Sequence, residues 1–221
     1  MSKGLGCLAI VVVLAIVLGL AAMGTYNNLV GLSQATDAQW AQVENVYQRR
    51  ADLIPNLVAT VKGAADFEKS TLEAVTAARA SVGQVQAGPG ITNDPAAFAK
   101  WQASQDQLSS ALSRLLVVVE RYPDLKASAN FRDLQAQLEG TENRITVERN
   151  RYNEVAQQYN TARLRFPAAL VAPLMGFKEK AYFRSAPGAE RPPTVNFDFG
   201  RSPAPGTTVP VAPTAAPSAR P

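Results

Sequence analysis

Two carboxylates, Glu68 and Glu142, each stand about 13 residues into a helical stretch, counted from Pro55 and Ala129. In antiparallel helices such positions come level with one another, and Arg114 falls near the same height. Paired carboxylates at one level of a helical core can hold a divalent cation. With an arginine beside them they instead form an ion-pair network that fixes helix register. The second arrangement, Glu68 and Glu142 with Arg114 or Arg50, is the expectation here, and no metal site is assigned. By the same counting Arg79 falls near Arg149 and Tyr152. The rest of the inventory argues against catalysis. Histidine is absent, which removes the commonest general base, the commonest zinc ligand and the Glu-x-x-His pairs of di-iron bundles. The one cysteine, Cys7, lies in an apolar run and builds neither a disulfide nor a thiolate metal site within one chain. No phosphate-binding loop, nucleophile elbow, dinucleotide fingerprint or calcium loop occurs, and no Ser/Lys pair stands out. The expectation is a protein that is not an enzyme and carries no cofactor.

The net charge of +4 is small and its basic residues are scattered without aromatic interleaving, so nucleic acid is excluded as a partner. What the chain does have is helical periodicity. Residues 5–23 are apolar and uncharged, about 28 Å as a helix, enough for a bilayer core. An uncleaved single-pass anchor is preferred over a cleaved signal peptide, although Gly19-Leu20-Ala21 resembles a small-x-small cleavage site. Lys3 at the amino-terminal flank leans toward an N-terminus in the cytoplasm and the bulk of the chain outside.

Four helices are expected beyond the anchor. Helix 26–52 carries Leu29, Leu32, Trp40, Val43 and Tyr47 on one stripe. A break follows at Pro55, with Asp52 as the cap of helix 55–86. A third helix spans 95–122, with Asp94 as cap, Pro95 in its first turn and Phe98, Trp101, Leu108, Leu112, Leu115 and Val119 in three-four alternation. The fourth spans 128–166, its seam running from Phe131 through Leu138, Ile145, Tyr152 and Tyr159 to Phe166, with Thr141 and Glu148 as polar interruptions. A period near 3.5 residues is the signature of coiled-coil-like packing. Short connections make neighbours antiparallel, so the fold class is all-α: a transmembrane helix, then an up-down four-helix bundle. A single kinked helix through Pro55 is the alternative, disfavoured because it makes one rod much longer than its partners.

Three local features remain. Arg49, Arg50, Asp52, Pro55 and Asn56, within RRADLIPNL, read either as a partner-recognition loop or as the closure of the bundle's distal end, the latter preferred. Tyr26/Asn27, Tyr152/Asn153 and Tyr159/Asn160 recur as Tyr-Asn pairs, read as core tyrosines with asparagines bonding at the helix surface. Segment 167–184 is apolar and aromatic. Either it lies at a bilayer surface through Phe177, Tyr182, Phe183, Lys178 and Lys180, or it packs on the open end of the bundle. Residues 185–221, rich in Pro, Ala and Thr, read as a disordered tail.

The words YNNLVGL (26–32), AQWAQVENVYQRRADLIPNLVATVKGAADFE (38–68), LEAVTAAR (72–79), LEGTENRITVERNRYNEVAQQYN (138–160) and FP (166–167) resemble the LemA family of bacterial proteins over residues 5–185. The resemblance implies a membrane-anchored antiparallel bundle in the bacterial cell envelope, single-pass in the inner membrane. It also implies partners in the lipid bilayer and in other proteins or further copies of the chain. Family relatives include a magnetosome branch and members linked to envelope-stress metallopeptidases. The sensor-kinase activity once attached to the family name does not transfer, because this chain has no phosphoacceptor histidine.

Overall fold

The computed structural model describes residues 2–63, 67–85, 87–88 and 90–185. The chain divides into a unit Met1–Arg184 and a unit Ser185–Pro221. The expected disordered tail lies outside the described residues.

The fold is all-helical, with no strand among the described residues. Its elements are α1 (Ser2–Lys62), α2 (Lys69–Gln84), a 3₁₀ turn at Ile91–Asn93, α3 (Pro95–Val119), α4 (Pro123–Ala127), α5 (Ala129–Leu164) and α6 (Ala168–Val171). After α6 the chain turns and runs without regular structure over 177–185. α1 packs mainly along α5, and α2 along α3.

The largest departure from expectation is α1. It is one helix of 61 residues with Pro55 inside it, so the separate anchor, the helix 26–52 and the break at Pro55 are all replaced by one rod. Proline lacks an N–H, so the carbonyl of Ala51, four residues back, loses its helical donor. The Arg79 guanidinium supplies one: its Nε donates to Ala51 O at 3.4 Å. Ile54, Leu57 and Val61 are all buried, and burying three such side chains outweighs a helix-interior proline of about 3 kcal/mol. Asp52 consequently caps nothing. It sits mid-helix, exposed, and accepts from Gln48 Nε2 at 2.8 Å. α2 begins at Lys69 rather than at Pro55, which shifts every residue of that helix relative to the heights counted from Pro55.

α3 follows its pattern closely. Asp94 accepts from the backbone N–H groups of Ala96 and Ala97 with Pro95 in the first turn, satisfying donors that a helix start leaves open. Gly90 adopts φ +80°, a conformation open to glycine and costly to other residues. α5 is capped by Ser128, whose hydroxyl accepts from Phe131 N–H, and it ends at Leu164, ahead of Phe166-Pro167. Of its expected seam, Phe131, Leu138, Thr141, Ile145, Tyr152 and Tyr159 are buried, whereas Phe166 is exposed.

Three apolar clusters follow the helices. One joins Ile54, Leu57 and Val61 to Leu72, Val75, Leu108, Leu112, Leu115, Phe131 and Leu138. A second is aromatic, with Trp40, Tyr47, Phe98, Trp101, Tyr152 and Phe183. A small third cluster sets Leu29 against Ala168 and Ala172.

Candidate functional site

The polar residues expected to share one level do not gather into one cluster. Arg50, buried on α1, donates from Nη1 to Glu142 Oε1 at 2.9 Å and to Ser109 Oγ at 2.6 Å. Its Nη2 donates to the side-chain oxygen of Gln105 at 2.5 Å, and its guanidinium lies over the Tyr47 ring. The Arg50–Glu142 pair is therefore one of the expected ion pairs. Glu68 is not part of it. It precedes α2 and pairs with Arg121 at 2.8 Å, because α1 carries on through Pro55 and moves Glu68 into the α1–α2 connection. Arg114 is exposed. Arg79 touches Ala51, while Arg149 reaches Asp106 at 3.5 Å and stacks over Phe183; they belong to different contacts. Arg49 and Asn56 are exposed on α1, so RRADLIPNL is helix, not loop. Among the described residues no three His, Cys, Asp or Glu side chains gather as metal ligands.

A cleft of about 580 Å³ opens between α1, α2 and α3, lined by Glu44, Tyr47, Arg79, Trp101 and Gln105. Burial raises the Glu44 carboxyl above its usual range and pushes the Tyr47 phenol up. Among the described residues the cleft's lining holds no serine, cysteine, histidine or lysine.

The arrangement sequence reasoning did not anticipate is the strap formed by Phe177–Arg184. Side chains of α5 and α3 grip its backbone. Asn160 donates to Lys180 O at 2.8 Å and accepts from Lys180 N–H at 2.9 Å. Asn153 does the same with Phe183, at 3.1 and 2.9 Å, and Gln102 with Arg184, at 2.7 and 3.3 Å. The Tyr159 and Tyr152 hydroxyls donate to the carbonyls of Lys178 and Ala181. Ala181 N–H donates to Thr92 O at 2.7 Å. An amide side chain carries both N–H donors and a carbonyl acceptor, so each clamps one strap residue as a neighbouring strand would. The two Tyr-Asn pairs on α5 are seven residues apart, two helical turns, so both face the strap. That spacing was the available signal. Its reading as core tyrosines holds for Tyr152 and Tyr159, whereas Tyr26 is exposed.

Two strap side chains are plugs. Phe183 enters the aromatic cluster against Phe98 and Tyr152, at 4.9 and 5.5 Å. Lys180, also buried, donates from Nζ to Asp37 at 2.6 Å and to Thr92 at 3.3 Å. Neither lies at a surface, so the bilayer-surface reading of segment 167–184 fails for them, because each finds a partner inside the fold. Burial also raises the phenols of Tyr152 and Tyr159 above their ordinary value.

An all-helical chain whose long first helix carries a stretch apolar enough to cross a membrane, with none of that stretch buried, fits the class of membrane-associated helical proteins. The chain belongs to the LemA family, whose family model matches residues 39–197. That match takes in the lower part of α1, the helices behind it and the whole strap. The chain is 28% identical over 185 residues to magnetosome protein MamQ 2 of Paramagnetospirillum magneticum, covering 76% of this chain and 67% of that protein. MamQ 1 of the same organism matches equally. MamQ of Magnetospirillum gryphiswaldense is 26% identical over the same shares.

Proposed function

We propose that the protein is a membrane-anchored scaffold or adaptor of the bacterial cell envelope, non-enzymatic, with α1, α2, α3 and α5 forming an antiparallel four-helix bundle outside the cytoplasm. The observation that carries this reading is the continuity of α1. One helix runs from an unburied apolar stretch at its start to core residues as late as Val61, so the bundle and the apolar stretch share one continuous rod. Binding then depends on helix faces and on residues beyond the strap. A second reading, organisation of membrane by self-association, is favoured by the magnetosome proteins among the relatives.

In-membrane crosslinking from exposed α5 positions, followed by identification of the products, separates the two readings. Adducts to other envelope proteins support the adaptor. Predominant self-adducts replace it with the organising role, and a membrane metallopeptidase as the main product makes the protein a protease accessory. Protease treatment of spheroplasts tests the orientation: survival of the C-terminal tail overturns placement outside the cytoplasm.

A further inference from the structure

The end of the molecule beside the apolar stretch carries an unusual surface. Where α5 turns through α6 into the strap, Leu164, Phe166, Leu170, Leu174 and Met175 are 56–86% exposed. These are five large apolar side chains within twelve residues. Soluble surfaces scatter such residues singly, and a concentration of them marks an interaction site. Ala168 and Ala172 turn inward onto Leu29 of α1, with Phe177 beside them, while Leu170 and Leu174, two residues on from each, face away.

The height of this elbow is fixed by α1. Leu29 lies six residues past Met23, the last large apolar residue of the run, or about 9 Å along the helix. The headgroup layer on one side of a bilayer is about 5–7 Å thick. The elbow backbone packed on Leu29 therefore stands at the outer edge of the headgroup layer, within side-chain reach of the headgroups. Tyr26, three residues past Met23, meets Phe177 edge-on at 5.6 Å, at the depth where aromatic belts form. The charges agree. Between Arg163 and Lys178 there is no carboxylate, and α1 has none before Asp37. Arg165 and Lys178 are exposed, and Glu179 beyond them is paired with Arg163. Among the described residues of this end, the carboxylate of Glu179 is offset by Arg163, and Arg165 and Lys178 leave the balance basic toward anionic headgroups.

We propose that the elbow at residues 164–175 is a second membrane contact: it inserts Phe166, Leu170, Leu174 and Met175 into the bilayer surface beside α1, so that the bundle is seated on the membrane at two points instead of pivoting on one helix. The proposal rests on the membrane reading above, with the lipid bilayer as occupant. One apolar helix leaves the bundle free to rotate and tilt; a second contact at the same height removes that freedom.

The test uses the full chain, with Cys7→Ser and single cysteines carrying an environment-sensitive fluorophore. The protein is reconstituted into phosphatidylethanolamine/phosphatidylglycerol vesicles containing lipids spin-labelled at shallow or deep acyl positions. Probes at Phe166→Cys and Leu174→Cys are expected to be blue-shifted and quenched at least twofold more by shallow-labelled lipid than a probe at Glu139→Cys, about 37 Å up α5 from Leu164. A probe at Val17→Cys reports the span itself and should be quenched by deep-labelled lipid. Quenching at 17 with elbow probes that behave like position 139 overturns this proposal and leaves the membrane reading standing. Loss of quenching at 17 overturns both. Elbow probes that are blue-shifted but untouched by labelled lipid mean that protein covers the face, and that result also overturns the proposal.

Discussion

At the scale of single residues, the molecule uses buried charge to fix packing. Arg50 is enclosed, but its carboxylate partner Glu142 keeps a side-chain exposure of 38%. The pair is therefore lopsided: the arginine needs its partners more than the glutamate does. Glu142→Ala leaves the guanidinium with Ser109 and Gln105, and the lost charge-assisted bond costs about 1.5–3 kcal/mol, toward the low end because solvent screens the carboxylate. Replacing both members with apolar side chains of similar size, Arg50→Met with Glu142→Leu, removes the buried charge altogether and is expected to be the milder change. Urea unfolding of the two variants checks the order; a double variant weaker than Glu142→Ala would show that the ion pair itself supplies the stability.

At the scale of elements, two devices make the architecture possible. The first is the α1 helix carried through Pro55 with Arg79 on the freed carbonyl. Pro55→Ala restores the missing donor and stabilises the fold by about 2 kcal/mol, the helix-interior gain of about 3 being offset by a looser unfolded chain. Arg79→Ala should cost a few tenths of a kcal/mol with Pro55 present and close to nothing in the Pro55→Ala background. Additive effects in that double-mutant cycle, read by thermal unfolding, would disconnect the two residues. The second device is the strap. Asn160→Ala orphans the buried N–H and C=O of Lys180 and is expected to cost about 2–3 kcal/mol. The backbone amide of Lys180 then exchanges with solvent faster while the midpoint of α3 keeps its protection. Asn153→Ala, at a half-buried position, should do the same to Phe183 with a smaller loss.

At the scale of the whole molecule, the aromatic cluster ties α1, α3, α5 and the strap into one cooperative body. Burial raises the phenols of Tyr47, Tyr152 and Tyr159. A phenol whose folded pKa lies above its unfolded value of about 10 keeps its full contribution below that pH and loses it as pH rises. Stability is therefore expected to fall above about pH 10, with phenolate absorbance from these three residues appearing together with loss of helical circular dichroism. Phenolate absorbance at pH 10 exceeding what the other three of the six tyrosines can supply, with helicity intact, would place these three hydroxyls in solvent. The same scale shows how much was legible beforehand. Periodicity located the stripe of α3 and most of that of α5, because three-four alternation of apolar residues records which face is buried. It misjudged Pro55, because the cost of a proline is local, whereas what outweighs it, the burial of Ile54, Leu57 and Val61 against residues of other helices, is not. It misplaced Glu68 for the same reason, since heights were counted from a break that α1 does not make.

The sequence by itself determined the helical class, the apolar N-terminal stretch, the cap at Asp94, the stop before Phe166-Pro167 and the family, because these are local patterns or shared words. Only the tertiary structure decided that α1 is a single rod to Lys62, that Arg50 rather than Arg114 meets Glu142, and that Phe177–Arg184 is gripped by amide side chains as a strap. Contacts of this kind join residues distant in the chain through side chains that bond backbone. Backbone looks the same whatever the residue, so the grip on the strap's N–H and C=O groups is not written in its own sequence, which records only the two plugs, Lys180 and Phe183. The trace it does leave is on the partner helix, in two Tyr-Asn pairs seven residues apart.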